Sequence, residues 1–149
     1  MEAIVFCGVQ ASGKTTFYAR TFLKTHVRIG MDLMRTRHRE RRFLETCVAT
    51  GQRFVVDNTN PTAAEREPYI RAALGARYRV VGYEFASTAA DALARNAQRP
   101  GRESIPVSGL LGTLKRLEPM SLGEGFTELR LVRIAPGGGF TVTAHPAGA

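Results

Sequence analysis

Gly8-Val9-Gln10-Ala11-Ser12-Gly13-Lys14-Thr15 directly follows the apolar run Ala3–Cys7. The segment has the spacing G-x-x-x-x-G-K-[ST], in which backbone N–H groups cradle phosphate oxygens, the lysine reaches the β- and γ-phosphates and the hydroxyl holds Mg²⁺. Such a loop requires a strand before it and a helix after it, and both are predicted here. We therefore expect a nucleoside triphosphate and Mg²⁺ as ligands, with contacts from Gly8, Ser12, Gly13, Lys14, Thr15 and Thr16.

The rest of the chain shows strand patterns that alternate with helix patterns. Helices are predicted over 14–23, 31–49, 62–74, 88–99 and 108–117, and strands over 26–30, 53–57, 78–84, 128–134 and 140–144. The breakers Pro136–Gly139 between the last two strands predict a hairpin. The alternation predicts an α/β fold, with a mostly parallel central sheet, helices on both faces and ligands beyond the carboxyl ends of the strands.

The composition is typical of a single soluble domain. The 149 residues include two cysteines, Cys7 and Cys47, which are expected to be buried free thiols, and three scattered histidines without metal-binding spacing. The chain has no apolar run long enough to cross a bilayer, and its start lacks a basic region typical of a signal peptide. We expect a cytoplasmic protein without a membrane partner.

The net charge of +8 favours a polyanionic partner. The charge is concentrated in one segment, which contains Arg35, Arg37, His38, Arg39, Arg41 and Arg42. Taken alone, this run fits either a solvated helix face or a nucleic-acid groove. The choice between them depends on the residues nearby.

Asp32 is the candidate general base. It follows the second predicted strand, and Arg35 lies three residues later on the same predicted helix, so the two side chains are expected to share a face. An arginine beside a carboxylate favours the anionic form, which can accept a proton from an attacking hydroxyl. Asp32 could also cap the helix, and the two roles are compatible.

Two further groups of polar residues have two interpretations each. Asp57 ends the third strand, where it could sit near the metal or only fix the Asn58–Pro61 turn. Arg95, Arg99 and Arg102 are spaced to line one side of a helix, and the Pro100-Gly101 breaker suggests a mobile lid over the nucleotide. The alternative for these arginines is an ordinary basic surface loop.

In this order, these motifs resemble the kinase domain of the polynucleotide 5′-hydroxyl kinases, in its nucleic-acid-repair and phage versions. The shared landmarks are the phosphate loop, Asp32-x-x-Arg35, Asp57-Asn58-Thr59-Asn60-Pro61, Arg66, Tyr69, Arg95-x-x-x-Arg99-x-x-Arg102, Ile105-Pro106-Val107 and Glu124-Gly125-Phe126. The resemblance implies a P-loop kinase fold with an arginine-bearing lid over residues 1–133. It leaves 134–149 as a C-terminal hairpin or tail without an assigned role.

The resemblance also implies a role for each matching residue. Lys14 and Thr15 would bind the ATP phosphates and Mg²⁺, and Asp32 would take the proton from the 5′-hydroxyl. Arg35 would hold the phosphate next to the acceptor nucleoside, and Arg99 with the other lid arginines would clamp the donor. Unlike many relatives, the chain has no D-x-D-x-[TV] phosphatase loop.

Three functions follow from the sequence. The first is a kinase for the 5′-hydroxyl end of DNA or RNA, the second a kinase for a small-molecule hydroxyl, and the third a nucleotide-gated nucleic-acid-binding protein. The large positive charge favours the first over the second, because a small acceptor needs only a few local arginines. The choice between DNA and RNA and the oligomeric state stay open.

Overall fold

A six-stranded sheet organises the protein in the computed structural model, which describes residues 1–101 and 104–148. The strands are β1 (Glu2–Cys7), β2 (Val27–Ile29), β3 (Phe54–Val56), β4 (Arg79–Phe85), β5 (Glu128–Ile134) and β6 (Phe140–Ala144). They lie in the order β2-β3-β1-β4-β5-β6, and only the β5–β6 pair is antiparallel. The predicted α/β fold with a mostly parallel sheet is confirmed.

Helices cover both faces of this sheet. They are α1 (Lys14–Thr21), α2 (Met31–Met34), α3 (Arg37–Thr50), α4 (Ala63–Gly75), α5 (Ala89–Ala97) and α6 (Val107–Arg116). Alternate residues of β1 point to opposite sides: Val5 belongs to the core cluster under α3 and α4, and Phe6 to the cluster under α1. Among the described residues, no helix is long and apolar enough to span a membrane.

The single helix predicted over 31–49 was wrong, because the chain forms two helices there. α2 ends at Met34, Arg35 adopts φ 69°, and Thr36 begins α3 by accepting a hydrogen bond from the Arg39 N–H at 3.2 Å. A threonine hydroxyl that caps a new helix favours this break. Arg35 therefore does not share a helix face with Asp32. The other predicted elements are present, with ends shifted by one or two residues.

The predicted C-terminal hairpin forms the edge of the sheet and packs against the beginning of the chain. The Phe140 ring lies 5.2 Å from the Phe17 ring, centroid to centroid, and 5.6 Å below the Arg20 guanidinium. A Cβ atom at Gly13 would lie 2.9 Å from the Phe140 ring. The hairpin thus packs against the end of the phosphate loop and against α1. The predicted domain boundary at residue 133 stays a prediction.

Arg66, on α4, is completely buried. Its guanidinium binds the Glu124 carboxylate through two hydrogen bonds of 2.8 and 3.0 Å and also donates to the carbonyl oxygens of Asn60 and Glu118. One side chain therefore joins the loop after β3 to the segment that follows α6. Two landmarks of the family resemblance, Arg66 and Glu124, form an internal ion pair here.

The two cysteines are free and buried, as predicted. Burial raises the pKa of each thiol to about 11, although the nearby Arg66 charge opposes this for Cys7. At pH 8, roughly one thiol in a thousand would be ionised. We expect no reaction of the folded protein with an aromatic disulfide reagent at pH 8 over minutes, and two equivalents after denaturation with guanidinium. Rapid labelling of the folded protein would contradict this.

Candidate phosphate-binding site

The glycine-rich segment forms a compact loop around the Lys14 ammonium group. Lys14 Nζ donates to the carbonyl oxygens of Gly8 and Val9, both at 2.8 Å, and to Ser12 Oγ at 3.4 Å. Burial lowers the pKa of Lys14 to about 8, the Asp57 charge opposes this, and the Arg99 charge adds to it. The lysine is therefore held inside the loop, where its charge is costly unless an anion approaches.

This lowered pKa predicts how stability depends on pH. Between pH 8 and 10.5 the unfolded chain carries the Lys14 proton and the folded protein does not, so this group makes stability rise with pH. From pH 7.5 to 10 we expect the wild type to gain roughly 2 kcal/mol in unfolding free energy relative to Lys14→Met. Urea denaturation of both proteins measures the difference, and Lys24→Met controls for loss of an exposed lysine. A constant difference would show that Lys14 titrates normally.

The loop after β3 anchors the phosphate loop. Gly8 N–H donates to the Thr59 carbonyl at 2.9 Å, and Asn60 Nδ2 donates to the Phe6 carbonyl at 2.8 Å. A Cβ atom at Gly8 would lie 2.8 Å from Phe85 Cβ, so the close approach requires glycine. The Asn-Thr-Asn element thus fixes where β1 ends and the phosphate loop begins.

Asp57 contacts the first helix rather than its own turn. Thr15 Oγ1 donates to Asp57 Oδ2 at 2.8 Å, and Arg28 Nε donates to the same oxygen at 2.7 Å. A hydroxyl beside a carboxylate suits Mg²⁺, which prefers oxygen ligands and usually takes others from substrate phosphates and water. The described residues contain no group of three or more His, Cys, Asp or Glu that could hold a metal alone. Thr15 and Asp57 therefore fit a metal that arrives with a nucleotide.

Asp32 lies at the edge of this group of contacts. Its carboxylate is 3.9 Å from Arg28 Nη2, and its side chain is 90% exposed. The expected neighbour was Arg35, but in the structure the arginine beside Asp32 is Arg28. Gly30, not Asp32, occupies the N-cap of α2, so the capping alternative is not observed. Asp32 faces solvent beside the phosphate loop.

A partly buried hydrogen-bond network holds α2, and hence Asp32, in place. Asn58 Oδ1 accepts a hydrogen bond from the Met31 N–H at 2.9 Å, and Asn58 Nδ2 donates to Glu40 at 2.8 Å. The Tyr69 hydroxyl donates to the Glu40 carboxylate at 2.6 Å. Arg37 donates both to this carboxylate and to the Tyr69 hydroxyl oxygen. Burial and the Glu40 charge raise the pKa of Tyr69, so its hydroxyl stays a donor.

Sequence analysis missed Glu40 and Arg28. Glu40 is the only acidic residue within the basic run, and it lies on the same side of α3 as the buried Leu44 and Cys47, a spacing that indicates an inward-facing carboxylate. Arg28 stands between two apolar residues of a short strand, which indicates that it faces the opposite side of the sheet from them. Neither signal identifies a partner.

The structure describes only part of the predicted arginine lid. Arg95 lies on α5 and donates to Ser87 Oγ at 3.3 Å, and Arg99 lies two residues beyond the end of α5, near enough to affect the pKa of Lys14. Arg102 lies outside the described residues. α6 is tied to the phosphate loop by the Gln10 amide, which donates to Thr113 Oγ1 at 3.0 Å. The lid function stays a prediction.

The basic run lies on the exposed surface around the start of α3. Two of its members bind acidic side chains of the same helix: Arg37 pairs with Glu40 and Arg42 with Glu45. Arg35, just past α2, is exposed and has a backbone conformation that non-glycine residues rarely adopt. The run adjoins Asp32 because only Leu33 and Met34 separate Asp32 from Arg35.

Comparison with known proteins identifies the class of fold. No family model matches the sequence. Kti12 from Chaetomium thermophilum, solved with ADP-AlF3, aligns with a TM-score of 0.70 and 16% identity over 91% of this chain and 92% of that one. A putative kinase from Chloroflexus aurantiacus gives 0.67 and 17%, over 91% and 86%. A gluconokinase from Sinorhizobium meliloti gives 0.61 and 20%, over 90% and 83%. The chain has the fold of the P-loop kinases.

Proposed function

We propose that the protein is an ATP- and Mg²⁺-dependent kinase that phosphorylates the 5′-hydroxyl end of DNA or RNA. The proposal rests on a continuous set of contacts from Thr15 through Asp57 and Arg28 to Asp32, with distances of 2.8, 2.7 and 3.9 Å. These contacts connect the phosphate-binding loop to an exposed carboxylate. A phosphotransferase needs these two parts next to each other.

In the proposed reaction, the phosphate loop and Lys14 hold the triphosphate. Thr15 and Asp57 would hold Mg²⁺, which supplies positive charge to the phosphates. Asp32 takes the proton from the 5′-hydroxyl as its oxygen attacks the γ-phosphorus in line; the bond to the β–γ bridging oxygen breaks, and ADP leaves. Arg99 and the other lid arginines oppose the negative charge that develops on the transferring group.

The surface around Asp32 supports a polymeric acceptor. Arg35, between α2 and α3, and Arg39 and Arg41, in the first part of α3, are exposed and close in sequence to the candidate base. Backbone phosphates bind such guanidiniums, and Arg35 is the proposed contact for the phosphate next to the acceptor nucleoside. The net charge of +8 over the whole molecule likewise favours a negatively charged polymer as the acceptor.

A kinase for small molecules is the second candidate. It is favoured by the similarity to structures described as a gluconokinase and as a sugar kinase from Janibacter sp., the latter with 18% identity and a TM-score of 0.65 over 88% of this chain and 85% of that one. A small acceptor needs only to place its hydroxyl near Asp32, and the protein then needs no basic surface to bind it. The two candidates therefore share the donor site and differ in the use of the arginines of α3.

Transfer of labelled γ-phosphate separates the candidates. Matched DNA and RNA oligonucleotides with a 5′-hydroxyl are incubated with the protein at fixed salt, beside 5′-phosphorylated controls and small alcohols that include gluconate. We expect label only on the 5′-hydroxyl oligonucleotides. Label confined to small alcohols would overturn the polynucleotide proposal, and nucleotide-dependent binding without any product would indicate a binding protein.

A further inference from the structure

Arg28 contacts both side chains that would hold the metal. Its side chain is 15% exposed, and Nε lies 2.7 Å from Asp57 Oδ2. Its Nη2 donates to Thr15 Oγ1 at 3.3 Å, while that hydroxyl donates to Asp57 Oδ2. Three groups therefore form a closed ring of hydrogen bonds with one positive and one negative charge.

We infer that Arg28 is a built-in counter-cation that competes with Mg²⁺ for Thr15 and Asp57 and leaves them when the metal-nucleotide complex binds. The inference deepens the proposed function, because it rests on Thr15 and Asp57 as the metal-binding pair. Asp57 is 5% exposed, and a buried carboxylate needs a positive partner. Arg28 provides that partner without a metal.

Arg28 and a metal would compete for the same two oxygen atoms, Thr15 Oγ1 and Asp57 Oδ2. Mg²⁺ needs ligand oxygens at about 2.0–2.1 Å in octahedral geometry. Arg28 already donates N–H groups to the Thr15 hydroxyl oxygen and to Asp57 Oδ2. The hydrogen atoms of these N–H groups lie where a metal bound to the same oxygens would lie. A divalent ion together with nucleotide phosphate oxygens can replace one guanidinium, whereas the metal alone must compete with it.

The displaced guanidinium has an acceptor close by. Arg28 Nη2 is 3.9 Å from Asp32 Oδ2, and the Asp32 side chain is exposed and free to move toward it. Loading of the metal would thus transfer the positive partner from Asp57 to Asp32, the candidate base. Arg28 acts in this scheme as a positioning residue: the positive charge beside Asp32 depends on whether the donor site holds the metal.

Binding of Mn²⁺, measured by electron paramagnetic resonance without nucleotide or acceptor, tests the competition. We expect Arg28→Gln to bind Mn²⁺ roughly tenfold or more tightly than the wild type, with Arg28→Lys between them. Arg53→Gln, which removes an exposed arginine before β3, should leave the affinity unchanged. Equal or weaker binding by Arg28→Gln would overturn the inference. The result does not depend on which acceptor, if any, is phosphorylated.

A measurement on the unmodified protein covers the case in which Arg28→Gln does not fold. The Nε–H of Arg28 and the Nε–H of Arg66 both donate to carboxylates, at 2.7 and 2.8 Å, and both are observable by nuclear magnetic resonance. Saturating Mg²⁺·ADP should shift or abolish the Arg28 signal and leave the Arg66 signal in place. ADP with a chelator should leave both. An unchanged Arg28 signal with Mg²⁺·ADP would refute the displacement.

Discussion

Asp32→Ala and Asp32→Asn are expected to lower the rate of phosphoryl transfer by about 10²- to 10⁴-fold without weakening nucleotide binding. Asp32 is an exposed carboxylate 3.9 Å from Arg28, which contacts the proposed metal pair, and it makes no hydrogen bond within the phosphate loop among the described contacts. Its removal should therefore affect proton transfer and leave the donor site intact. Single-turnover transfer to a 5′-hydroxyl oligonucleotide and calorimetric ADP binding measure the two quantities separately.

Asp91→Asn provides a matched control for this experiment. Asp91 is an exposed aspartate in the first turn of α5, outside the contacts that connect Thr15 with Asp32. We expect near-normal transfer by this variant. Full activity of Asp32→Asn would eliminate Asp32 as the base, while loss of nucleotide binding in the same variant would show that the carboxylate supports the donor site instead.

Arg66→Met should destabilise the protein by about 3–5 kcal/mol, because it leaves a largely buried Glu124 carboxylate without its partner. Glu124 is 11% exposed, and Arg66 is not exposed at all. The substitution also removes a donor from the carbonyl oxygens of Asn60 and Glu118. The loss is expected as a lower midpoint in urea denaturation with an unchanged slope.

Arg71→Met is the matched control, since Arg71 pairs with Glu67 at 3.1 Å on the exposed surface of the same helix. Such a pair contributes about 0–1 kcal/mol, so its loss should be close to neutral. Glu124→Gln tests the partner from the other side and should also destabilise the protein, because it leaves the fully buried Arg66 guanidinium without its counter-charge. If Arg66→Met cost less than about 1 kcal/mol, the ion pair would not be structural.

The phosphate loop and the order of elements could be predicted because both depend on residues close together in sequence. The loop is contiguous, and helix caps such as Thr62 and Thr88 bind N–H groups three residues away. The break after α2 was missed because the basic run continues the helical pattern across Arg35. Only the strained backbone at Arg35 and the Thr36 cap reveal it.

The contacts inside the site could not be predicted because they join distant parts of the chain. Arg28 lies on β2, and Asp57 directly follows β3; the two strands pair in the register Ile29 with Val56, and that register sets which side chains meet. Sequence alone could place Asp57 near the metal or in the turn, and only the fold shows its contact with Thr15. Tyr69 was recognised through a family resemblance, but its bond to Glu40 is visible only in the fold.

The packing of Phe140 affects when, during synthesis, the protein becomes able to bind a nucleotide. The phosphate loop is made early during translation, whereas the ring that packs against Gly13 and Phe17 belongs to the last strand of the sheet. A nascent chain that ends before β6 exposes that side of α1 and leaves the loop without its support. Nucleotide binding should therefore arise late in synthesis, after most of the sheet has formed.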